Sequence, residues 1–211
     1  MSVTENLFPA FIKLAGRRVL LIGAGTIAEE KIQSLLAAEA RITVIAPQAT
    51  PAIQRLATEK KLTWRRRAFK PADVRGFFLV VAATATVSVN HSVYRAAQDH
   101  RILCNAVDDP PNCDFYFPAV VRRGALQVAI STSGESPALA QRLRRELEAS
   151  LDPSLGESVR ILGELRREIL AAYAPSEGRK ELLHILASRE GLAAVARAAN
   201  LRELSKPGVK L

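Results

Sequence analysis

Long apolar runs are missing from this chain of 211 residues: the strongest candidate, Val19 to Ile22, stops at Gly23, far short of the roughly 18 residues that a spanning helix needs. No membrane-spanning segment is expected. The opening residues Met1-Ser-Val-Thr-Glu-Asn6 hold an acid and no basic stretch ahead of an apolar one, so no secretory leader is expected and the cytoplasm is the expected compartment. Cysteine is scarce: Cys104 and Cys113 are too few for a disulfide framework or a four-thiolate zinc site, and both are expected as reduced thiols. Histidine is also thin, and His91, His100 and His184 show neither i,i+4 pairing nor clustered carboxylates, so no resident metal is expected. Aromatics reach only 5% and do not interleave with basic residues, which removes the stacking platform that single-stranded nucleic acid requires.

What the chain does have is a globular balance, 48% hydrophobic and 24% charged, and a basic surplus of 30 Lys+Arg over 21 Asp+Glu, formally +9. An anionic partner follows, whether nucleic acid, anionic lipid or a polyacidic small molecule, and charge alone does not choose among them.

The pattern from Arg17 reads as a buried strand (19–22), a glycine turn and a helix with Ile27, Ala28, Ile32, Leu35 and Leu36 on one face. A second β-branched run (40–46) ends at Pro47, followed by a short helix (51–60), a strand (62–66), an apolar strand (77–83), a helix (87–98) and a strand (102–107). This alternation predicts an α/β fold, a Rossmann-like doubly wound parallel sheet. After Asp108 the composition shifts to a loop, then to two runs, 115–121 and 126–131, joined by Arg122-Arg-Gly as a hairpin. Helices follow from Pro137, at about 156–172, 175–187 and 191–204. The expected division is 1–113, 114–150 (hairpin and helix) and 151–211 (helical module).

Gly23-Ala-Gly25-Thr-Ile-Ala28 is a G-x-G-x-x-A element between a buried strand and a helix. There Gly23 permits the tight turn, Gly25 lets backbone approach a pyrophosphate, and Ala28 lets helix pack on strand, so a dinucleotide is the expected cofactor. The acid that usually holds the adenosine ribose is absent after the second strand, where Ala46-Pro47-Gln48 stand. Gln48 or backbone groups are left for the ribose, and Arg65 to Arg67 could neutralise a 2′-phosphate.

Together with Phe8-Pro9-Ala-Phe-Ile-Lys-Leu14, this segment resembles the precorrin-2 dehydrogenase family, the N-terminal module of siroheme synthases. The likeness continues in order through Val81-Ala-Ala-Thr84, Val89-Asn90, Cys104-Asn105-Ala-Val-Asp108-Asp109, Phe115 to Gly124, and Ala129 to Ala140, and covers about residues 7–150. The resemblance implies NAD-dependent oxidation of precorrin-2 to sirohydrochlorin, a homodimer joined through the 114–150 segment, and in some relatives insertion of Fe2+ or Co2+ as a substrate. An octa-carboxylate tetrapyrrole would suit a +9 protein, and Arg122, Arg123, Arg142, Arg144 and Arg145 are candidates to meet it.

The resemblance further implies cofactor contacts at Gly23, Gly25, Thr26, Ile27, Pro47, Gln48, Ala83 and Thr84. It aligns Asp108 with the catalytic aspartate, although Asp109 is an equal candidate by chemistry alone. Ser131, Thr132 and Ser133 precede a helix and could receive substrate carboxylates, or simply form its hydroxyl-rich start; Thr132 stands where some relatives have serine. The competing expectation is a non-catalytic dinucleotide sensor or nucleic-acid binder that uses its basic helices on phosphate.

Overall fold

The computed structural model describes residues 6–204, so the opening Met1 to Glu5, on which the absence of a leader was read, and residues 205–211 lie outside it. The chain divides into two compact units, Asn6–Phe117 and the part from Pro118 onward. The first contains β1 (Arg18–Ile22), α1 (Thr26–Ala37), β2 (Arg41–Ile45), α2 (Pro51–Thr58), β3 (Thr63–Arg65), β4 (Leu79–Ala82), α3 (Val87–Asp99) and β5 (Leu103–Ala106), with 3₁₀ turns at Pro71–Val74 and Pro110–Asn112. Its sheet is entirely parallel in the order β3-β2-β1-β4-β5.

The apolar runs explain that order. All four residues of β4 and four of the five in β1 are buried, as befits central strands covered on both faces. On one face Val19, Leu21, Val44 and Val81 pack against Ala28, Ile32 and Leu35 of α1 and Ile53 and Leu56 of α2. On the other, Leu20, Ile22, Val80 and Cys104 pack against Val93, Ala96 and Ala97 of α3. Each buried branched side chain contributes about 1.5–3 kcal/mol. The chain runs outward from β1 through β2 and β3, then returns to β4, so β1 and β4 flank the crevice where such sheets bind ligands.

The first unit extends four residues beyond the expected boundary at 113. Asp114 N–H donates to the Cys104 carbonyl (2.8 Å), its carboxylate accepts the Cys104 N–H (2.8 Å), and Asn105 Nδ2 donates to the Phe115 carbonyl (2.8 Å). These bonds cover the edge of β5, and Phe115 and Phe117 pack onto the core with ring centroids 5.5 Å apart. The expected strand 115–121 therefore begins only at Ala119.

The second unit holds the antiparallel hairpin β6 (Ala119–Arg123) and β7 (Leu126–Ile130), then α4 (Pro137–Ser150), α5 (Leu155–Ala172), α6 (Glu177–Ala187) and α7 (Arg189–Leu204). Residues expected as separate modules, 114–150 and 151–211, share this unit from Pro118 on. A Cβ on Gly156 would come within 2.9 Å of Arg123 and Gly124 backbone, so α5 starts in direct backbone contact with the hairpin turn. Among the described residues no helix is long and apolar enough to cross a membrane.

Candidate functional site

At the C-terminal edge of the parallel sheet lies a cleft of about 580 Å³. Three segments form it: Gly25 to Ile27 at the start of α1, Ala83 to His91 after β4, and Val107 to Asp109 after β5.

The first wall depends on two glycines with different tasks. Gly23 has φ +101° and a Cβ there would sit 2.2 Å from the Ala83 carbonyl oxygen, so only glycine fits between β1 and β4. Gly25 has no protein atom within 4 Å of a Cβ position, although it lines the cleft; the space beside it is not used by packing. It is the N-cap of α1 and has no side chain with which to cap, so among the described residues no cap takes the first-turn N–H donors. Open space, uncapped donors and the positive helix end together fit a pyrophosphate. Ile27, expected on the packed face of α1, is instead 44% exposed in the cleft wall, while Ala28 is fully buried against the sheet.

The second wall is held by a residue that the sequence patterns did not single out as functional. Asn90, in the first turn of α3 and buried, accepts from the Thr84 N–H (3.2 Å) and hydroxyl (2.8 Å) through Oδ1, and donates from Nδ2 to the Thr84 carbonyl (3.0 Å). The Thr86 N–H in turn donates to the Thr84 hydroxyl (3.1 Å). Thr84 thus lines the cleft with its polar groups already engaged. A polar residue six positions after Thr84 on a helix face otherwise buried was the available signal.

The third wall separates two neighbouring acids that composition alone left equivalent. Asp109 accepts from Asn112 Nδ2 (2.7 Å) and lies 3.0 Å from His91 Nε2, so its carboxylate ties the turn after β5 to α3. Asp108 takes φ +60°, a left-handed conformation that aspartate tolerates better than most residues, and its exposed carboxylate makes no hydrogen bond or ion pair among the described residues. His91, named in the sequence only as lacking the pairing of a metal ligand, lines the cleft beside both. Behind the turn, burial pushes the Cys113 thiol up and it donates to the Ala106 carbonyl (3.0 Å); the Cys104 thiol is pushed up to about 12 by burial, so neither supplies a thiolate.

Other predicted residues lie elsewhere. Pro47 and Gln48 are exposed at the end of β2 and do not line the cleft, although the Thr50 N–H donates to the Ala24 carbonyl (3.0 Å) and holds their loop beside the glycine turn. Arg67, considered as a phosphate ligand, is already neutralised: both of its terminal nitrogens meet Asp73 (2.7 and 2.5 Å), which holds the Asp73 carboxyl below its ordinary range.

Ser131, Thr132 and Ser133 belong to the second unit. There the Ser131 hydroxyl accepts from the Ser133 N–H (3.1 Å), Thr132 Oγ1 accepts from the Ser136 N–H (3.1 Å), and Ser136 caps α4 through the Leu139 N–H (3.3 Å). Among the arginines, Arg123 donates to the Leu151 and Glu148 carbonyls (3.1 and 2.6 Å) and closes the end of α4. Arg142 and Arg144 pair with Glu146 and Glu148, and Arg145 donates to the Gln141 carbonyl (3.4 Å). Arg122 is exposed. No group of three or more potential metal ligands occurs among the described residues.

Residues 10–119 match the family model described as "Putative NAD(P)-binding", and residues 123–150 match that of the sirohaem biosynthesis protein central region. The siroheme synthase of Neisseria meningitidis serogroup C (strain 053442) is 41% identical over 151 residues, 72% of this chain and 32% of that protein. Siroheme synthase 1 of Aeromonas salmonicida (strain A449) is 43% identical over the same length, with 72% and 32% covered. The chain therefore spans about a third of the length of these curated relatives. Among solved structures, that of SirC, precorrin-2 dehydrogenase, superposes with a TM-score of 0.76 at 28% identity and covers 93% of this chain and 98% of its own.

Proposed function

The chain belongs to the NAD(P)-binding family whose model spans residues 10–119, and on that premise we propose that it is a cytoplasmic enzyme that oxidises precorrin-2 to sirohydrochlorin with NAD+ in siroheme or cobalamin biosynthesis. The likeness to SirC along nearly the whole chain and to siroheme synthases over 151 residues supports the reading. The observation that carries it is the cleft itself, where Asp108, a carboxylate without a partner among the described residues, lines the same space as a glycine-opened helix start whose N–H groups no side chain caps.

Bound there, the dinucleotide supplies the hydride acceptor. The N–H groups of Gly25, Thr26 and Ile27 would hold its pyrophosphate, Gly23 keeps the turn close to β4, the Ala83–Thr84 loop would line the cleft beside it, and Pro47 and Gln48, outside that lining, would be left for the adenosine ribose. Asp108 accepts the proton that leaves precorrin-2 during oxidation, while Asp109 and His91 keep its turn in place. Ser131, Thr132 and Ser133 offer N–H and hydroxyl groups to substrate carboxylates, and any insertion of Fe2+ or Co2+ into the product would use the same proton acceptor. A homodimer would relieve the isolation of the two-stranded β6–β7 sheet, which is marginal by itself.

The test is anaerobic incubation of the protein with precorrin-2 and NAD+. The expected result is the absorption spectrum of sirohydrochlorin, with Asp108→Ala losing oxidation while retaining NAD+ affinity. Asp109→Ala is expected to retain turnover at reduced stability. Wild-type turnover by Asp108→Ala, or no turnover by the unaltered protein, refutes the assignment, and a steep salt-dependent retardation of duplex DNA without turnover would favour the sensor instead.

A further inference from the structure

Much of the basic surplus of the first unit gathers away from the cleft, at the opposite edge of the same sheet. Because the strands are parallel, their first residues share that edge, and three of the five strand starts bring arginine to it: Arg17 and Arg18 at β1, Arg41 at β2, and Arg101 just before β5. Arg75 joins them from the turn before β4. Arg18 and Arg41 are register partners, and the Phe78 N–H donates to the Arg18 carbonyl (2.8 Å), so these positions form one row about 14 Å across at the usual strand spacing.

Three of the five guanidinium groups, those of Arg17, Arg18 and Arg75, are held rather than loose. Arg17 lies 4.2 Å from the centroid of the Phe78 ring and Arg18 lies 4.4 Å from that of Phe77. The Arg18 head passes over Gly76, where a Cβ would meet its Nη1 at 3.2 Å. Arg75 Nε donates to His100 Nε2 (3.3 Å), and Arg75, His100 and Arg101 line a depression of about 590 Å³ floored by Phe77 and Phe78. None of the five arginines forms an ion pair among the described residues, although six others in the molecule do. Glu39 and Asp99, the acids nearest this edge in the chain, pair with none of them.

The geometry points to a second anion site here, for a short chain of condensed phosphates, either inorganic or the tail of a nucleotide. Guanidinium forks match phosphate oxygens, and a row of like charges without countercharge among the described residues favours an extended polyanion over a single phosphate. The two phenylalanine rings already carry arginines, so a base would find no free aromatic face to stack on, and recognition falls to the phosphates. The site shares no residue with the cleft, so it stands or falls independently of the proposed oxidation.

Calorimetric titration of the full chain with tripolyphosphate, with and without saturating NAD+, tests this. One saturable site that persists in NAD+ is expected, weakened roughly tenfold by Arg75→Gln or by Arg101→Gln and abolished when both are changed, with Arg95→Gln as a charge-matched control that leaves it intact. ATP binding as tightly as tripolyphosphate, with AMP failing, places recognition on the phosphate chain; ATP binding much more tightly identifies a nucleotide as the source. Each variant is checked by its unfolding midpoint, and the single variants decide the question should the double one not fold. No saturable binding to the unaltered chain, binding indifferent to both single substitutions, or binding only of duplex DNA overturns the proposal.

Discussion

Alanine substitutions at the two glycines of the first turn should fail in opposite ways. At Gly23 the added methyl would lie 2.2 Å from the Ala83 oxygen and 2.7 Å from its carbonyl carbon, and φ +101° is outside the range alanine accepts readily. Positive φ costs about 1–2 kcal/mol. Moving the carbonyl disturbs the Ala83-to-Ile22 and Gly23-to-Ile45 hydrogen bonds (2.8 and 3.0 Å), each worth about 1 kcal/mol. Gly23→Ala should therefore lose about 3–4 kcal/mol, a large share of an ordinary domain's stability. At Gly25 the methyl meets nothing within 4 Å and φ −86° suits any residue. Lower entropy of the unfolded chain gives back about 0.4–1 kcal/mol, a poorer N-cap residue takes a similar amount, and the net stays within about 1 kcal/mol of zero. That methyl would, however, stand between the helix N–H groups and a pyrophosphate. Losing one or two charge-assisted hydrogen bonds, about 3 kcal/mol, weakens NAD+ by roughly a hundredfold. Urea unfolding and NAD+ titration of both variants provide the comparison. A Gly25→Ala protein that binds NAD+ like the unaltered chain would refute the placement of the cofactor, and an undiminished Gly23→Ala midpoint would refute the packing argument.

Asn90→Ala removes the clamp on Thr84 and strands its N–H and carbonyl; a loss of about 2 kcal/mol in urea unfolding is expected, together with weaker NAD+ binding, and normal values for both would contradict the clamp. Asp73→Asn should destabilise the protein at neutral pH. Because Arg67 holds the folded-state Asp73 carboxyl below its ordinary value of 3.8, the contribution is present above about that pH and fades as pH falls further, so the gap between the two unfolding curves should close in acid; a gap that widens there would reverse the sign. Cys104, pushed up to about 12 by burial, should resist iodoacetamide at neutral pH until the chain is unfolded, and mass spectrometry after native alkylation reads this directly.

The sheet was legible in the sequence because its central strands are continuous apolar runs with nowhere to go but a doubly covered core. Val19 to Ile22 and Leu79 to Ala82 declare themselves, and the helices between them carry the 3.6-residue period. Boundaries slipped where tertiary contacts override local pattern. Phe115 and Phe117 read as the start of a hairpin strand because alternation is all that a sequence displays, yet the Asp114 and Asn105 hydrogen bonds commit that stretch to the edge of β5. Ile27 carries two expectations that the cleft separates: its helical spacing put it on the packed face, where it is not, and the family resemblance put it beside the cofactor, and an apolar residue need not face a core when a ligand cleft opens beside it.

The site divides in the same manner. Glycines report backbone geometry and so advertise themselves, whereas the distinction between Asp108 and Asp109 depends on which carboxylate finds His91 and Asn112, residues eighteen and three positions away from Asp109 whose relevance appears only after folding. Charge behaves likewise. The sign of the surplus is fixed by counting, and it suggests a polyacidic substrate, but its position follows from strand direction. In a parallel sheet the C-terminal edge receives the loops that build a cleft, here with Asp108 and Asp109, while arginines at strand starts are carried to the far edge. Arg18, Arg75 and Arg101 therefore cannot neutralise a substrate held beside Asp108, however well the total of +9 matches one, and their charge needs a different explanation from the one that the sum first suggests.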